Sequence, residues 1–139
     1  MKSFRINYDT DAFEKSRSGA IWGPIWISLG DDDFPEENWN DMPVALLNEF
    51  ARAVRQMKVG SRETIRFFDG PFSVIFKQPE ADSIEVSLDG SRVRSSLNGT
   101  VERGELLTAV RNAASDVYRS CIALGWHEDP DIKLLMQSI

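Results

Sequence analysis

The chain has 139 residues, of which 42% are hydrophobic and 27% are charged. This composition is typical of a globular protein and argues against disordered and fibrous classes, and the length suits a single domain over residues 1–139. The formal net charge is −6. An acidic surface disfavours direct binding to nucleic acid, because that affinity depends on Lys and Arg neutralising phosphates. A basic protein partner is favoured instead.

The N-terminus and the cysteine content indicate the compartment. Polar side chains follow Met1 at once, where a signal peptide needs an apolar stretch. No run approaches the ~18 apolar residues of a membrane span. Cys121 is the one cysteine, so no intramolecular disulfide can form, which fits a reducing environment. We therefore predict a cytoplasmic protein that does not bind a membrane.

The first third of the chain predicts two strands and a helix. Alternating apolar residues indicate a strand over 4–8 and a second over 21–29. Pro24 cannot donate to a ladder, which predicts that its end of the strand lies at an edge or outside the sheet. Residues 9–19 and 30–41 read as loops. A helix is predicted from Pro43 towards Gly60, with Asn40 or Asp41 as its cap.

The rest of the chain predicts four short strands and two helices. Strands are expected over 64–68, 72–76, 84–88 and 93–97, with a hairpin at Asp89-Gly90. A helical stripe runs from Leu106 to Leu124 and ends at Gly125, and Asp129 caps a last short helix. The resulting order is β-β-α-β-β-β-β-α-α. Because its helices cannot all cross between parallel strands, we predict an α+β fold, with helices on one face of an antiparallel sheet of about five to six strands.

Residue types needed for catalysis or metal binding are scarce. A structural zinc site needs four Cys or His ligands, and the chain has one of each, Cys121 and His127. Cys121 lies on a predicted apolar helix face, which favours a buried thiol over a nucleophile. The carboxylates from Asp31 start with calcium-like spacing but lack the Gly and Glu of an EF-hand. No phosphate-binding glycine loop occurs. We predict no catalytic residues, no metal site and no cofactor.

Two segments remain as candidates for binding. Residues 31–41 contain six carboxylates and no Lys or Arg, and aromatic residues lie among them. Carboxylates around an aromatic anchor suit a basic protein, although such a loop can also be solvated with its aromatics packed on the core. The predicted contact residues are Asp31, Asp32, Asp33, Phe34, Glu36, Glu37 and Trp39. Alternatively, Trp22, Trp26 and Asp69 line a ligand pocket, unless Asp69 is only a turn residue.

Several of these segments together resemble a family of small bacterial proteins. They are residues 22–29, Asp33-Phe34-Pro35, Trp39-Asn40-Asp41, the helix ending near Met57, and the segment from Phe67 to Phe72. The pattern covers about residues 20–125 and is similar to immunity proteins of polymorphic toxin systems. The resemblance implies a cytoplasmic antitoxin that binds and blocks one cognate toxin domain, often a nuclease. It implies no catalytic residue and no cofactor.

Three functions are therefore left open. The first is an immunity-type protein that binds a basic toxin domain. The second is an enzyme or small-ligand binder with a pocket between sheet and helices. The third is a self-associating regulatory subunit, in which the edge strand from Arg92 to Leu97 or the C-terminal helix pairs with a second copy.

Overall fold

A computed structural model describes residues 1–90 and 97–139 of the chain. It confirms the predicted α+β fold and, for the long elements, the predicted order. The strands divide into two antiparallel sheets instead of forming one, with five strands in the first and four in the second. The helices are α1 (Pro43–Gln56), α2 (Arg103–Ala123) and α3 (Pro130–Met136).

The first sheet is built around one long strand. Its members are β1 (Phe4–Tyr8), β2 (Glu14–Lys15), β3 (Ile21–Leu29), β4 (Asp32–Phe34) and β5 (Asn40–Asp41). Strand β3 pairs with all four others. Strands β1 and β4 both pair with its last residues, so they lie on opposite sides of it. The two segments predicted as loops thus contribute short strands, which alternation over two or three residues cannot reveal.

The position of Pro24 is a correction. It lies inside the central strand β3, opposite Asn40 of β5, and not at an edge. Its carbonyl accepts a hydrogen bond of 3.4 Å from the N–H of Asp9. The missing N–H is tolerated because no described strand pairs with β3 on that side of Pro24: β1 ends at Tyr8 and β2 begins only at Glu14.

The second sheet is the predicted meander. Its strands β6 (Arg62–Arg66), β7 (Ser73–Glu80), β8 (Ser83–Asp89) and β9 (Leu97–Glu102) pair in chain order. The last strand was expected over 93–97; Leu97 instead begins β9, and 91–96 lie outside the described residues. The N–H of Lys2 donates to the carbonyl of Thr100 at 2.8 Å, which links the N-terminus to β9.

The inner faces of both sheets and the helices share one buried cluster. At its centre the rings of Phe4, Phe50 and Phe76 have centroids 6.0 to 6.4 Å apart. These residues come from β1, α1 and β7, so aromatic packing joins the first sheet, a helix and the second sheet. The space between sheets and helices is therefore occupied by side chains.

Helix ends follow the sequence signals only in part. Gly125 adopts a φ of +82° after α2, and the carboxylate of Asp129 accepts from the N–H groups of Asp131 and Ile132 at the start of α3, as predicted. Helix α1 differs, because its N-cap is Met42 and neither Asn40 nor Asp41. The carboxylate of Asp41 still accepts from the Met42 N–H, at 2.7 Å.

Candidate functional site: the acidic loop

The acidic loop, residues 31–41, carries most of its charge at the surface. The side chains of Asp31, Asp32, Asp33, Glu36 and Glu37 are exposed. Within the described ranges, no Lys or Arg forms an ion pair with any of these five carboxylates. Asp33 accepts a hydrogen bond from the hydroxyl of Ser28 at 2.6 Å. Among the described residues, the loop is therefore a patch of negative charge without a paired cation.

The loop's aromatic residues do not project into solvent. Phe34 is 1% exposed and packs edge-to-face against Phe67 and Phe72, at centroid distances of 5.8 and 5.6 Å. Trp39 is partly buried and contacts Phe72 at 5.1 Å. The register explains this, since Phe34 lies opposite Ile27 on the inner face of β3. In this structure neither residue is the exposed anchor that the sequence predicted, and the alternative, packing on the core, is observed.

The sixth carboxylate, Asp41, holds the loop in place. It is fully buried and accepts four hydrogen bonds. Two donors lie beside it, the Trp39 indole N–H at 3.0 Å and the Met42 N–H at 2.7 Å. The other two are the backbone N–H groups of Phe68 and Asp69, at 3.1 and 3.2 Å. Because these groups follow β6, one side chain fastens the edge of the first sheet to a turn of the second.

An exposed aromatic residue beside the loop was missed by sequence reasoning. Phe68 is 50% exposed, although the preceding Phe67 is buried. Its N–H is bonded to Asp41, which places it next to the end of the acidic loop. The signal was present in the sequence: two consecutive Phe residues in extended chain cannot both point inward.

Trp22, Trp26 and Asp69, which were predicted to line a pocket, do not line any of five surface cavities found among the described residues. The two tryptophans lie on the outer face of β3, since the alternate residues Ile21, Ile25 and Ile27 point into the core. Asp69 is exposed in the turn after β6, where its N–H bonds to Asp41. Between the sheets and helices, the rings of Phe4, Phe50 and Phe76 pack against one another.

Surface cavities in the described parts of the chain lie elsewhere. Five of them have volumes between about 280 and 490 Å³, and neither tryptophan nor Asp69 lines any of these five. One of about 460 Å³ lies between α1, α2 and the C-terminal residues, with Arg55 and Arg111 at its wall. The Arg55 guanidinium there bonds to the hydroxyl of Ser138 at 3.2 Å. No Asp or Glu side chain lines this cavity, so it offers no side-chain carboxylate for acid–base catalysis.

The remaining reactive groups do not converge. Cys121 is fully buried, as predicted, and burial raises the pKa of its thiol to about 11, with a smaller contribution from the charge of Asp129. His127 is exposed, 3.6 Å from the carboxylate of Glu128. Among residues 1–90 and 97–139, no three His, Cys, Asp or Glu side chains are grouped as metal ligands would be. Within the same ranges, every helix is too short or too polar to cross a bilayer.

Comparison with known proteins adds no family assignment. The chain matches no protein-family model, no curated protein and no solved structure.

Proposed function

We propose that this chain is a binding protein of the immunity type, which blocks a basic toxin domain by direct contact. The observation that supports this most is the group of five exposed carboxylates on the acidic loop, none of which is paired with a described Lys or Arg. Uncompensated charge of one sign steers an oppositely charged protein towards the surface and raises the association rate.

The way in which the loop is held also favours recognition. Phe34 and Trp39 pack on the aromatic rings of Phe72 and its neighbours, and Asp41 bonds to the turn after β6. A loop fixed in this way loses little conformational entropy when a partner binds, so more of the contact energy appears as affinity. Phe68, exposed beside the loop, offers an aromatic group at its margin.

The test is a binding measurement with the product of the neighbouring gene. In the test variant, Asp31, Asp32, Glu36 and Glu37 are all replaced by Lys; Asp33 is kept because it bonds to Ser28. We expect at least a tenfold weaker complex at about 0.15 M salt, mainly through slower association, and a reversal of the salt dependence.

A matched control reverses four exposed carboxylates elsewhere, Glu80, Asp82, Glu85 and Glu102, which lie on or beside the β7–β8 hairpin and at the end of β9. The net charge changes by the same amount in both variants, so a general loss of acidity affects them equally. If both variants bind with the parent's affinity, the acidic loop is not the contact surface. If no complex forms with the parent protein, the immunity function itself is wrong.

A further inference from the structure

The outer face of the first sheet carries an unusual row of side chains. Trp22, Pro24 and Trp26 alternate with buried residues along β3 and remain partly exposed. Neither tryptophan joins the buried cluster that the inner face forms with the helices. We call these three residues the outer aromatic row. Residues four apart on a strand are about 13 Å apart, so the row spans the centre of the sheet.

The second sheet shows what an ordinary outer face looks like in this protein. Its register aligns Arg62, Lys77, Glu85 and Thr100 across the four strands. The adjacent aligned row consists of Thr64, Ile75, Ser87 and Asn98. A sheet with one solvated face is expected to be polar there, and seven of these eight residues are. Two tryptophans and a proline on the equivalent face of the first sheet do not serve the core, and apolar patches of this kind mark contact sites.

Polar groups surround the outer aromatic row and lead to the acidic loop. In register, Trp22 lies opposite Glu14, Pro24 opposite Asn40, and Trp26 opposite Asn7. The amide of Asn7 donates to the hydroxyl of Ser28 at 2.8 Å. That hydroxyl donates in turn to Asp33 at 2.6 Å. Asn7, Ser28 and Asp33 therefore form a hydrogen-bonded chain beside the row, and Asp33 and Asn40 belong to the acidic loop.

We propose that the outer aromatic row is the apolar centre of the surface that binds the basic protein partner, with the acidic loop as its charged rim. This inference rests on the proposed function. Protein interfaces place Trp at their desolvated centres and charged residues at their margins. The acidic loop's own Trp39 packs against the buried cluster, whereas Trp22 and Trp26 do not. A partner with Lys and Arg around an apolar patch complements Glu14, Asp33 and the loop carboxylates.

The experiment compares single variants in binding to the product of the neighbouring gene. Trp22→Ser and Trp26→Ser remove the two rings, and Trp26→Phe keeps an aromatic surface. Ile75→Ser is the matched control, because Ile75 is a half-buried apolar residue on the outer face of the other sheet. Thermal unfolding of each variant identifies any that fails to fold.

We expect each Trp→Ser change to weaken the complex at least tenfold through faster dissociation, with an unchanged salt dependence. Trp26→Phe should recover most of this loss, and Ile75→Ser should bind like the parent. If the folded Trp variants bind normally while the charge-reversed loop does not, the outer aromatic row is not in the interface although the proposed function stands. If no complex forms with the parent, both fail. If sedimentation shows a dimer that Trp26→Ser dissociates, the occupant is a second copy, and a heterologous partner is ruled out for this face.

Discussion

The outer faces of the two sheets occupy equivalent positions but differ in chemistry. Each sheet buries one face in the same core, and the other face of each lies outside that buried cluster. On the second sheet that outer face carries charged and small polar residues such as Lys77, Glu85 and Asn98. On the first sheet the long strand β3 presents Trp22 and Trp26. This difference supports the contact surface that we propose on the first sheet.

The largest expected loss of stability comes from replacing Asp41, whose hydrogen bonds join the two sheets. Asp41→Ala removes a buried acceptor and leaves four N–H groups without it, so we expect a loss of about 3–5 kcal/mol in the free energy of unfolding. Urea denaturation measures this. Asp33→Ala is the control, because its exposed carboxylate accepts one hydrogen bond, from Ser28, and its loss should cost about 1 kcal/mol. Equal losses in the two variants would show that Asp41 does not fasten the loop.

The two faces of β3 are compared directly by truncating neighbouring residues. Ile27 is fully buried, so Ile27→Ala should reduce the free energy of unfolding by about 2–5 kcal/mol. Trp26→Ala removes a larger side chain from the outer face and should cost only about 1 kcal/mol. The same variant should elute earlier from a hydrophobic-interaction column, because the free protein exposes less apolar surface. A core-sized loss for Trp26→Ala would mean that the ring stabilises the fold.

Cys121, in the core beneath both faces, makes the stability of the fold depend on pH. Burial raises the pKa of Cys121 from 9.0 to about 11, so between these pH values the folded state keeps a proton that the unfolded state releases. This contribution to stability is complete below pH 9 and is lost as pH rises through 11. A shift of this size corresponds to about 2–3 kcal/mol.

Denaturation of the parent and of Cys121→Ala across this range measures the effect. The alanine variant is less stable throughout because of the cavity, but its stability should fall less steeply with pH. Parallel curves for the two proteins would contradict the prediction.

The smallest effect tests whether the second outer face is only a solvated surface. Glu85 of β8 lies directly opposite Lys77 of the adjacent strand β7, so Glu85→Lys places like charges side by side. We expect a loss of about 0.5 kcal/mol that added salt removes, and no change in binding to the partner. Glu85→Gln, the neutral control, should cost less. A change in partner affinity for Glu85→Lys would contradict the prediction that the outer face of the second sheet does not contact the partner.

Much of the fold was predictable because its elements are long enough to show a period. Strand β3 was expected over 21–29 and is observed there, since nine residues with alternating burial leave little ambiguity. The short strands β4 and β5 were read as loop, because their two or three residues carry no period and form only by pairing with β3. The division into two sheets also escaped the sequence, since which strands pair depends on contacts distant along the chain.

The candidate site was predictable in its charge but not in its geometry. The run of carboxylates over residues 31–37 was enough to predict a charged surface segment, because charged side chains stay at the surface unless they are paired. Whether Phe34 faced outward or inward depended on its register with Ile27, which only the folded chain sets. The same holds for Trp22 and Trp26, which were expected to line a pocket and lie instead, partly exposed, on the outer face of β3.

By itself, then, the sequence determined the α+β class, the long strands and helices, and the negative charge of residues 31–41, because each follows from local periodicity or composition. Only the tertiary structure decided that Asp41 fastens the two sheets and that the loop's aromatic residues pack inward. It also decided that the tryptophans of β3 face outward. These outcomes depend on strand register and on hydrogen bonds between segments far apart in the chain, such as that from Phe68 to Asp41, and no local pattern encodes them.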